Sequence, residues 1–592
     1  MKQRYNLLIK SLKLVWDSAP GWATANSLIS VIRSFLPLLL LLLLKNVIDE
    51  ITTTASAGGS VSNIMMPLLL LAIVWFLDEG FADAGNYVRK KQSVKFEDYM
   101  YGLLHEKAVK ADLINFENPE YYDNLSRASH DAPWRPNNIL NNLISILRSL
   151  ISLLLITGLI ISFNWLPAAL LVFANIPGIW LRLHYADILF DFRRKKTPEA
   201  RKAAYFNWLL TGDKPSREIR LFGLGNYFRE LFRRSFLKQK EEELEIIRKR
   251  TFIEILSDVF KASAIFIMIF YIADQAIEGS VSLGSMAMFL LAFRQGMIYM
   301  KELFGSLSGL YEDSLFIGDT FAFLDLKETI VAKDKILLPE TLKESITVEN
   351  LSFSYPGNEK KIIDNVSFTL NKDEVVAIVG HNGAGKSTLV RLISRLYDPD
   401  SGSVKFDGID IKRFEPDEYR KLFSIIFQDF MLYNLTAGDN IKMGRIDHNS
   451  NDRMIDSARK SGAMRFIEEL PGGFETSIGN LFDESRELSW GEWQKIALAR
   501  ALYRDSPILI LDEPASALDS DTEYEIFSHF REIVKNRTTI LISHRFTNVT
   551  LADRIIVMDH GRIAETGDHD ELMARKGLYY SMYNKQSSRF EK

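Results

Sequence analysis

The segment Gly380-His381-Asn382-Gly383-Ala384-Gly385-Lys386-Ser387-Thr388 packs three glycines, a lysine and two hydroxyls into nine residues. It follows the apolar run Glu374-Val375-Val376-Ala377-Ile378-Val379 and leads into the helical pattern Leu389–Leu396. A strand, a glycine-rich turn and a helix start in that order form an anion cradle. The glycines let backbone N–H groups turn toward phosphates, and the helix N-terminus adds positive potential. Lys386 is expected to reach the β- and γ-phosphates, and Ser387 to ligate Mg²⁺. A second apolar run, Ile508-Leu509-Ile510-Leu511, ends in Asp512-Glu513. An acid at such a strand tip lies beside a phosphate loop, so Asp512 is the expected second Mg²⁺ anchor. Glu513 then stands where it can polarise an attacking water as general base. An acidic pair at a strand end is by itself often only solvated; the phosphate loop gives this one its chemistry.

Such residues need a largely parallel sheet to position them. From Ile346 onward, short β-rich runs alternate with amphipathic helices, which indicates an α/β domain ending in a helical segment, Asp570–Tyr583, and a polar tail. The first half has another texture. Ser149–Leu181 holds no charged side chain over 33 residues, enough for two spans of about 20 residues with a hairpin near Ser162-Phe163-Asn164 and Pro167. Ile64–Leu77 is a further span. Ala23–Val47, Phe252–Ala273 and Leu283–Leu310 are spans interrupted by charge, giving six in all. With the N-terminus inside, the outer segments Thr52–Asn63, Ser162–Trp165 and Asp274–Ser282 carry no Lys or Arg. The inner ones carry Arg89-Lys90-Lys91, Arg193-Arg194-Lys195-Lys196 and Arg248-Lys249-Arg250. The inner connections, Asn86–Asn138 and Asp187–Arg250, are helical in spacing and read as spanning helices continued into the cytosol. Arg33, Asp78, Glu79, Arg148, Lys261 and Arg294 are candidates for a polar path, or for interface positions, since charge inside a span is costly.

Composition agrees with this division. The 592 residues are 47% hydrophobic and 25% charged with net charge −4, which excludes a disordered chain and offers no basic field for nucleic acid. The absence of cysteine excludes disulfides, zinc–thiolate sites and cysteine nucleophiles. Met1–Lys13 is basic and amphipathic without a cleavage site, and reads as an interfacial helix.

These motifs, in order and at their spacing, resemble the nucleotide-binding domain of ABC transporters, and nearly the whole chain resembles an exporter-type half-transporter of peptide, lantibiotic, multidrug or lipid type. The resemblance implies an α-helical transmembrane domain of six long helices (residues 1–325), a linker (326–344) and an α/β P-loop ATPase domain (345–592). It implies ATP and Mg²⁺ as cofactors. Tyr355 matches the aromatic that stacks on adenine. Gln428 matches a catalytic glutamine that senses Mg²⁺ and the membrane domain. Ser516-Ala517-Leu518-Asp519 matches a loop crossing the dimer interface, and His544 matches the switch histidine at the γ-phosphate. Ser489 and Gly491, in Leu488-Ser489-Trp490-Gly491-Glu492, occupy the signature that closes a partner's ATP site. Here the sequence departs from the family pattern Leu-Ser-Gly-Gly-Gln: Trp490 replaces a glycine and Glu492 the glutamine. Either Trp490 packs locally and activity survives, or the site is weakened and the chain works beside a complete partner.

The same resemblance implies coupling segments at Phe116–Tyr122 and Gly212–Gly223, and alternating access driven by a head-to-tail dimer of ATPase domains. One ATPase domain cannot make a two-site sandwich, so two chains are needed: a homodimer, or a heterodimer as the alternative. The expected setting is a bacterial inner (plasma) membrane, multi-pass, with a cytoplasmic ATPase domain and no nucleic-acid partner. The expected substrate is a peptide or amphipathic drug-like molecule. A lipid flippase and an exporter-fold importer are the alternatives.

Overall fold

The computed structural model describes the chain except residues 1, 58–61, 119–120, 122–124, 126–127, 130–131, 196, 335, 359, 515–529 and 588–592. It divides into two compact units, Met1–Val109 with Tyr122–Leu326, and Lys110–Tyr121 with Lys327–Lys592.

The described elements of the first unit are helical: α1 (Lys2–Ser18), α2 (Pro20–Ala57), α3 (Ser62–Lys110), α4 (Arg135–Phe163), α5 (Trp165–Phe173), α6 (Ile176–Lys195), α7 (Thr197–Thr211), α8 (Asp213–Leu221), α9 (Gly225–Ile277) and α10 (Leu283–Leu324). Among the described residues five of these, α2, α3, α4, α9 and α10, are long and apolar enough to cross a membrane. The 53 residues of α9 extend roughly 80 Å, far beyond a hydrocarbon core of about 30 Å. Its remainder carries ion pairs such as Arg234–Glu230 and Lys249–Glu245, as a helix in water does.

The expected hairpin lies at Asn164, which ends α4 and caps α5 by accepting from the Leu166 N–H at 3.0 Å. The expected crossing after it is two helices, not one. Pro177 has no N–H to give the Phe173 carbonyl, and its ring crowds that carbonyl, so the ladder breaks at Ala174-Asn175. The Asn175 amide donates to the Leu171 carbonyl at 2.8 Å, satisfying backbone that the break exposes.

Helix packing in this unit uses small residues and buried polar pairs. A Cβ at Gly296 would lie 2.8 Å from Leu171, so α10 and α5 approach over that glycine. Asn26 donates to Gln92 at 3.0 Å and to Asn141 at 3.1 Å, and Gln92 donates to Asn137 at 2.9 Å, tying α2, α3 and α4 together. Arg135 meets Asp313 at 3.1 Å with both residues buried, and Asn142 donates to the other Asp313 oxygen at 3.2 Å. Of the charged residues expected within spans, Arg33 lies 3.6 Å from Asp78, Arg148 pairs with Glu302, and Lys261 pairs with Asp258 at 2.8 Å. Glu79 is exposed. Arg294 has no carboxylate partner among the described residues. The α8 helix falls on the Gly212–Gly223 segment, with Leu221 and Phe222 exposed.

The second unit holds two sheets. An antiparallel sheet has the order β2 (Ile363–Asn371), β1 (Ser345–Phe353), β4 (Ser401–Phe406), β5 (Ile409–Asp410). The larger sheet has the order β10 (Arg562–Gly567), β9 (Arg554–Asp559), β3 (Val375–Gly380), β8 (Thr538–Ile542), β7 (Ile508–Asp512), β6 (Phe423–Ile426). All but β10 run parallel. The strands β3, β7 and β8 are buried end to end, which explains their unbroken Val/Ile/Leu runs. The segment Lys110–Tyr121 belongs to this unit: Asp112 accepts from the Thr329 N–H at 2.7 Å, and Tyr397 donates to Glu117 at 3.0 Å. Burial first, then the Glu117 carboxylate, raise the Tyr397 phenol above its ordinary value, so it stays a donor. Tyr121 is buried, with its ring 4.8 Å from Phe116. Tyr122 lies outside the described residues.

Removing one partner of a buried ion pair leaves a charge without compensation, at a cost of about 3 kcal/mol or more. Asp313→Ala is therefore expected to lower the unfolding midpoint of the detergent-solubilised protein by several degrees, as read by tryptophan fluorescence. Asp313→Glu should recover part of the loss.

Candidate active site

The glycine-rich loop leaves the C-terminal end of β3 and enters α11 (Lys386–Ile393). Gly383 and Gly385 adopt φ of +80° and +99°, which side chains resist. A Cβ on Gly385 would lie 2.8 Å from the Ile362 carbonyl, whereas one on Gly383 would meet nothing within 4 Å. The loop is thus pressed against the protein on one side and open on the other, where His381, Asn382 and Gly383 are exposed. Ala384 is buried and donates its N–H to the His381 carbonyl at 3.1 Å, closing the turn.

Lys386 arches back over this turn, its Nζ donating to the Gly380 carbonyl at 2.9 Å and the His381 carbonyl at 3.2 Å. Burial lowers its pKa, and the nearby Glu513 and Asp512 charges oppose that shift. Ser387 donates to Asp512 Oδ2 at 2.8 Å, across from β7. Asp512 is 3% exposed; burial raises its pKa against the Ser387 hydrogen bond, and Glu513 adds to the rise. A hydroxyl and a carboxylate at this separation are hard oxygen donors.

Glu513, the next residue, has φ +53°, a left-handed conformation rare for a side chain of this kind and costing about 1 kcal/mol. Four contacts hold it. Its N–H donates to the Ile542 carbonyl at 2.9 Å, and its own carbonyl accepts from Gln494 Nε2 at 3.2 Å. One carboxylate oxygen accepts from Gln428 Nε2 at 3.1 Å, and the other lies 3.0 Å from His544 Nε2. Burial, and secondarily Lys386, lower the His544 pKa, so its imidazole stays neutral to a lower pH than a free one. A neutral imidazole with its proton on Nε2 donates to Glu513.

Tyr355 is half-buried beside this cluster. Its hydroxyl lies 3.2 Å from Thr388 Oγ1 and accepts from Arg391 at 3.1 Å, and its ring meets Phe353 and Tyr397 edge-on. Arg391 and Gln494 are additions that spacing did not single out. Arg391 reads as an ordinary helix-surface residue, and Gln494 follows the signature by a helical turn without a motif of its own.

Ser489 and Gly491 are not among these joined groups. They begin α12 (Trp490–Arg504), where Ser489 Oγ accepts from the Glu492 N–H at 3.3 Å and Glu492 accepts from the Ser489 N–H at 2.7 Å. This reciprocal capping satisfies two helix-end donors. The Trp490 ring is turned onto Phe430, centroids 5.1 Å apart, and remains 47% exposed. Ser516, Ala517, Leu518 and Asp519 lie outside the described residues.

Residues 363–516 match the family described as ABC transporter. Among curated proteins, the subtilin transport ATP-binding protein SpaT of Bacillus subtilis is 31% identical over 530 residues, covering 88% of this chain and 85% of that protein. The nisin transport ATP-binding protein NisT of Lactococcus lactis is 29% identical over 588 residues, 98% of this chain and 96% of its own. An ATP-dependent lipid A-core flippase of Desulfotalea psychrophila is 31% identical over 527 residues, 88% of this chain and 90% of its own. A solved bacterial Atm1-family ABC exporter with ATP bound shares the fold, with a TM-score of 0.82 at 24% identity, covering 96% of this chain and 99% of that one. With relatives of this identity spanning most of both chains, this protein belongs to the ABC transporter family, as a multi-pass membrane exporter whose ATPase domain binds nucleotide and drives transport.

Proposed function

We propose that two copies of this chain form a homodimeric exporter that hydrolyses Mg²⁺-ATP to move a peptide or other amphipathic molecule. The single observation that carries the catalytic part is the Glu513 carboxylate, fixed between Gln428 and His544 one residue beyond the Asp512–Ser387 pair. The substrate class is supported by the relatives named for subtilin and nisin transport, which align over most of the chain. The relatives named as lipid A-core flippases support a lipid as the second reading.

In this reading Lys386 and the amides of residues 381–385 bind the phosphate chain, and Thr388 helps fix the start of α11. Tyr355 offers its ring to adenine. Ser387, Asp512 and Gln428 supply the oxygen donors that suit Mg²⁺, a hydroxyl, a carboxylate and an amide. The ion would neutralise charge on the β- and γ-phosphate oxygens. Glu513 accepts a proton from the attacking water, and His544, donating to Glu513 from Nε2, orients that carboxylate and faces the γ-phosphate. Gln494 acts at one remove, bracing the Glu513 backbone. Ser489 and Gly491 close the partner's site from the N-terminus of α12, and Trp490, stacked on Phe430, stays clear of it.

Glu513→Gln keeps the shape and the Gln428 contact but removes the base, and should reduce turnover by about 100-fold or more while nucleotide still binds. Turnover comparable to wild type in purified, reconstituted protein would remove the proposal's foundation. Lys386→Ala should lose hydrolysis by a similar factor and also weaken nucleotide binding, read by fluorescent-nucleotide titration. The pH profile supplies a third check. Because the His544 pKa is lowered, protonation of its imidazole begins below the ordinary value of 6.5. The acid limb of the hydrolysis rate that depends on His544 should therefore lie below that value, and should be absent from the profile of His544→Ala.

A further inference from the structure

Between α2, α3, α4 and α10 lies a cleft of about 840 Å³, within the first unit and remote in sequence from every nucleotide-site residue. One part of its wall is apolar, including Leu40, Leu44, Leu68, Leu71 and Trp75. Another is charged: Arg33, Arg148 and Arg294 with Asp78 and Glu302. Arg33 is set against Asp78, and Arg148 against Glu302. That leaves the Arg294 guanidinium, exposed toward the cleft, without a carboxylate among the described residues.

Depth matters here. Arg294 is eleven residues into α10 from the end that adjoins the Lys- and Arg-free loop, or roughly 16 Å, near the middle of a hydrocarbon core of about 30 Å. By the same rise Asp78 and Glu302 lie roughly 24 and 28 Å in, toward the basic side, and Leu68 only about 9 Å in. An uncompensated cation at mid-membrane is costly and is kept where it meets a ligand or a path. By the same rise Trp75 lies about 20 Å in, so Arg294 stands within the apolar depth of the cleft, with Asp78 and Glu302 beyond it toward the basic side.

We propose that this cleft is a substrate site for an anionic amphiphile, whose carboxylate or phosphate head is held by Arg294, with its chain along Leu44, Leu68, Leu71 and Trp75. This rests on the export reading and narrows its substrate class from amphipathic to anionic. Arg294 sets the preference for head-group charge.

The test uses the full-length protein in phosphatidylcholine nanodiscs without nucleotide, photolabelled with dodecanoate bearing a terminal diazirine, and read by mass spectrometry of peptides from α2 and α3. Dodecanoate should label these peptides about tenfold more than the trimethylammonium analogue of the same chain length, as charge-assisted hydrogen bonds to the head require. Dodecyl phosphate should compete. Arg294→Ala should reduce labelling about tenfold, and Arg294→Lys should retain most of it, with all proteins matched for melting temperature. Equal labelling by both head groups, wild-type labelling in Arg294→Ala, or loss in Arg294→Lys equal to that in Arg294→Ala overturns the inference. Since no step requires hydrolysis, a protein that hydrolyses ATP but labels without regard to head charge rejects this inference and leaves the export reading standing.

Discussion

The parallel sheet is the constraint on which the nucleotide site depends. Parallel strands deliver all their C-terminal ends to one edge, and ligands in such folds bind along that edge. Here β6, β7, β8 and β3 are consecutive neighbours, and at or directly beyond their ends come Gln428, Asp512 and Glu513, His544, and the phosphate loop. The register fixes their levels: Asp512 pairs with Ile542, and Ile542 with Ile378. No long-range loop is needed to gather the cluster. The strain in Glu513 follows from the same geometry, because its N–H still bonds to the Ile542 carbonyl while its side chain must turn across the strand ends. A backbone held in a sparsely populated conformation persists only where surrounding contacts over-determine it, and Gln494, Gln428 and His544 supply them.

Burial acts on the charges at this edge in a consistent way. It raises the pKa of Asp512 and lowers those of Lys386 and His544, each change disfavouring the charged form. The charges are then retained through one another: Lys386 is supported by Glu513 and Asp512, and Asp512 by its hydrogen bond from Ser387. Perturbed groups that compensate one another in this way mark a ligand-binding site.

The phosphate loop and the acidic strand end were legible because their chemistry is local: strand, turn and helix are adjacent in sequence, and spacing alone specifies them. Glu513's left-handed backbone was not, since nothing about Asp512-Glu513-Pro514 marks a positive φ. Gln494 was illegible for another reason, since its contact is made across 19 residues of chain through a helix that must first dock. In the membrane unit, hydropathy located the spans and Asn164 the hairpin. Hydropathy averages over a window, however, and could not register that Pro177 divides one apolar run into two helices. The pairing of Arg33 with Asp78 and Arg148 with Glu302 was equally hidden, because which charges meet depends on helix rotation.

The departures in the signature illustrate how a local rule can absorb a large side chain. Trp490 is the first residue of α12, where no preceding turn exists for the ring to crowd, and it lies instead on Phe430. A glycine there would have left the backbone freer and the Phe430 face bare. Glu492 is the more consequential change. Its carboxylate bonds to the Ser489 N–H and lies at the positive end of the helix dipole, so it stabilises α12 by about 1 kcal/mol. The same carboxylate offsets part of the positive potential that this helix start would present to a phosphate. The helix therefore gains stability from the very group that weakens its electrostatic attraction for an anion.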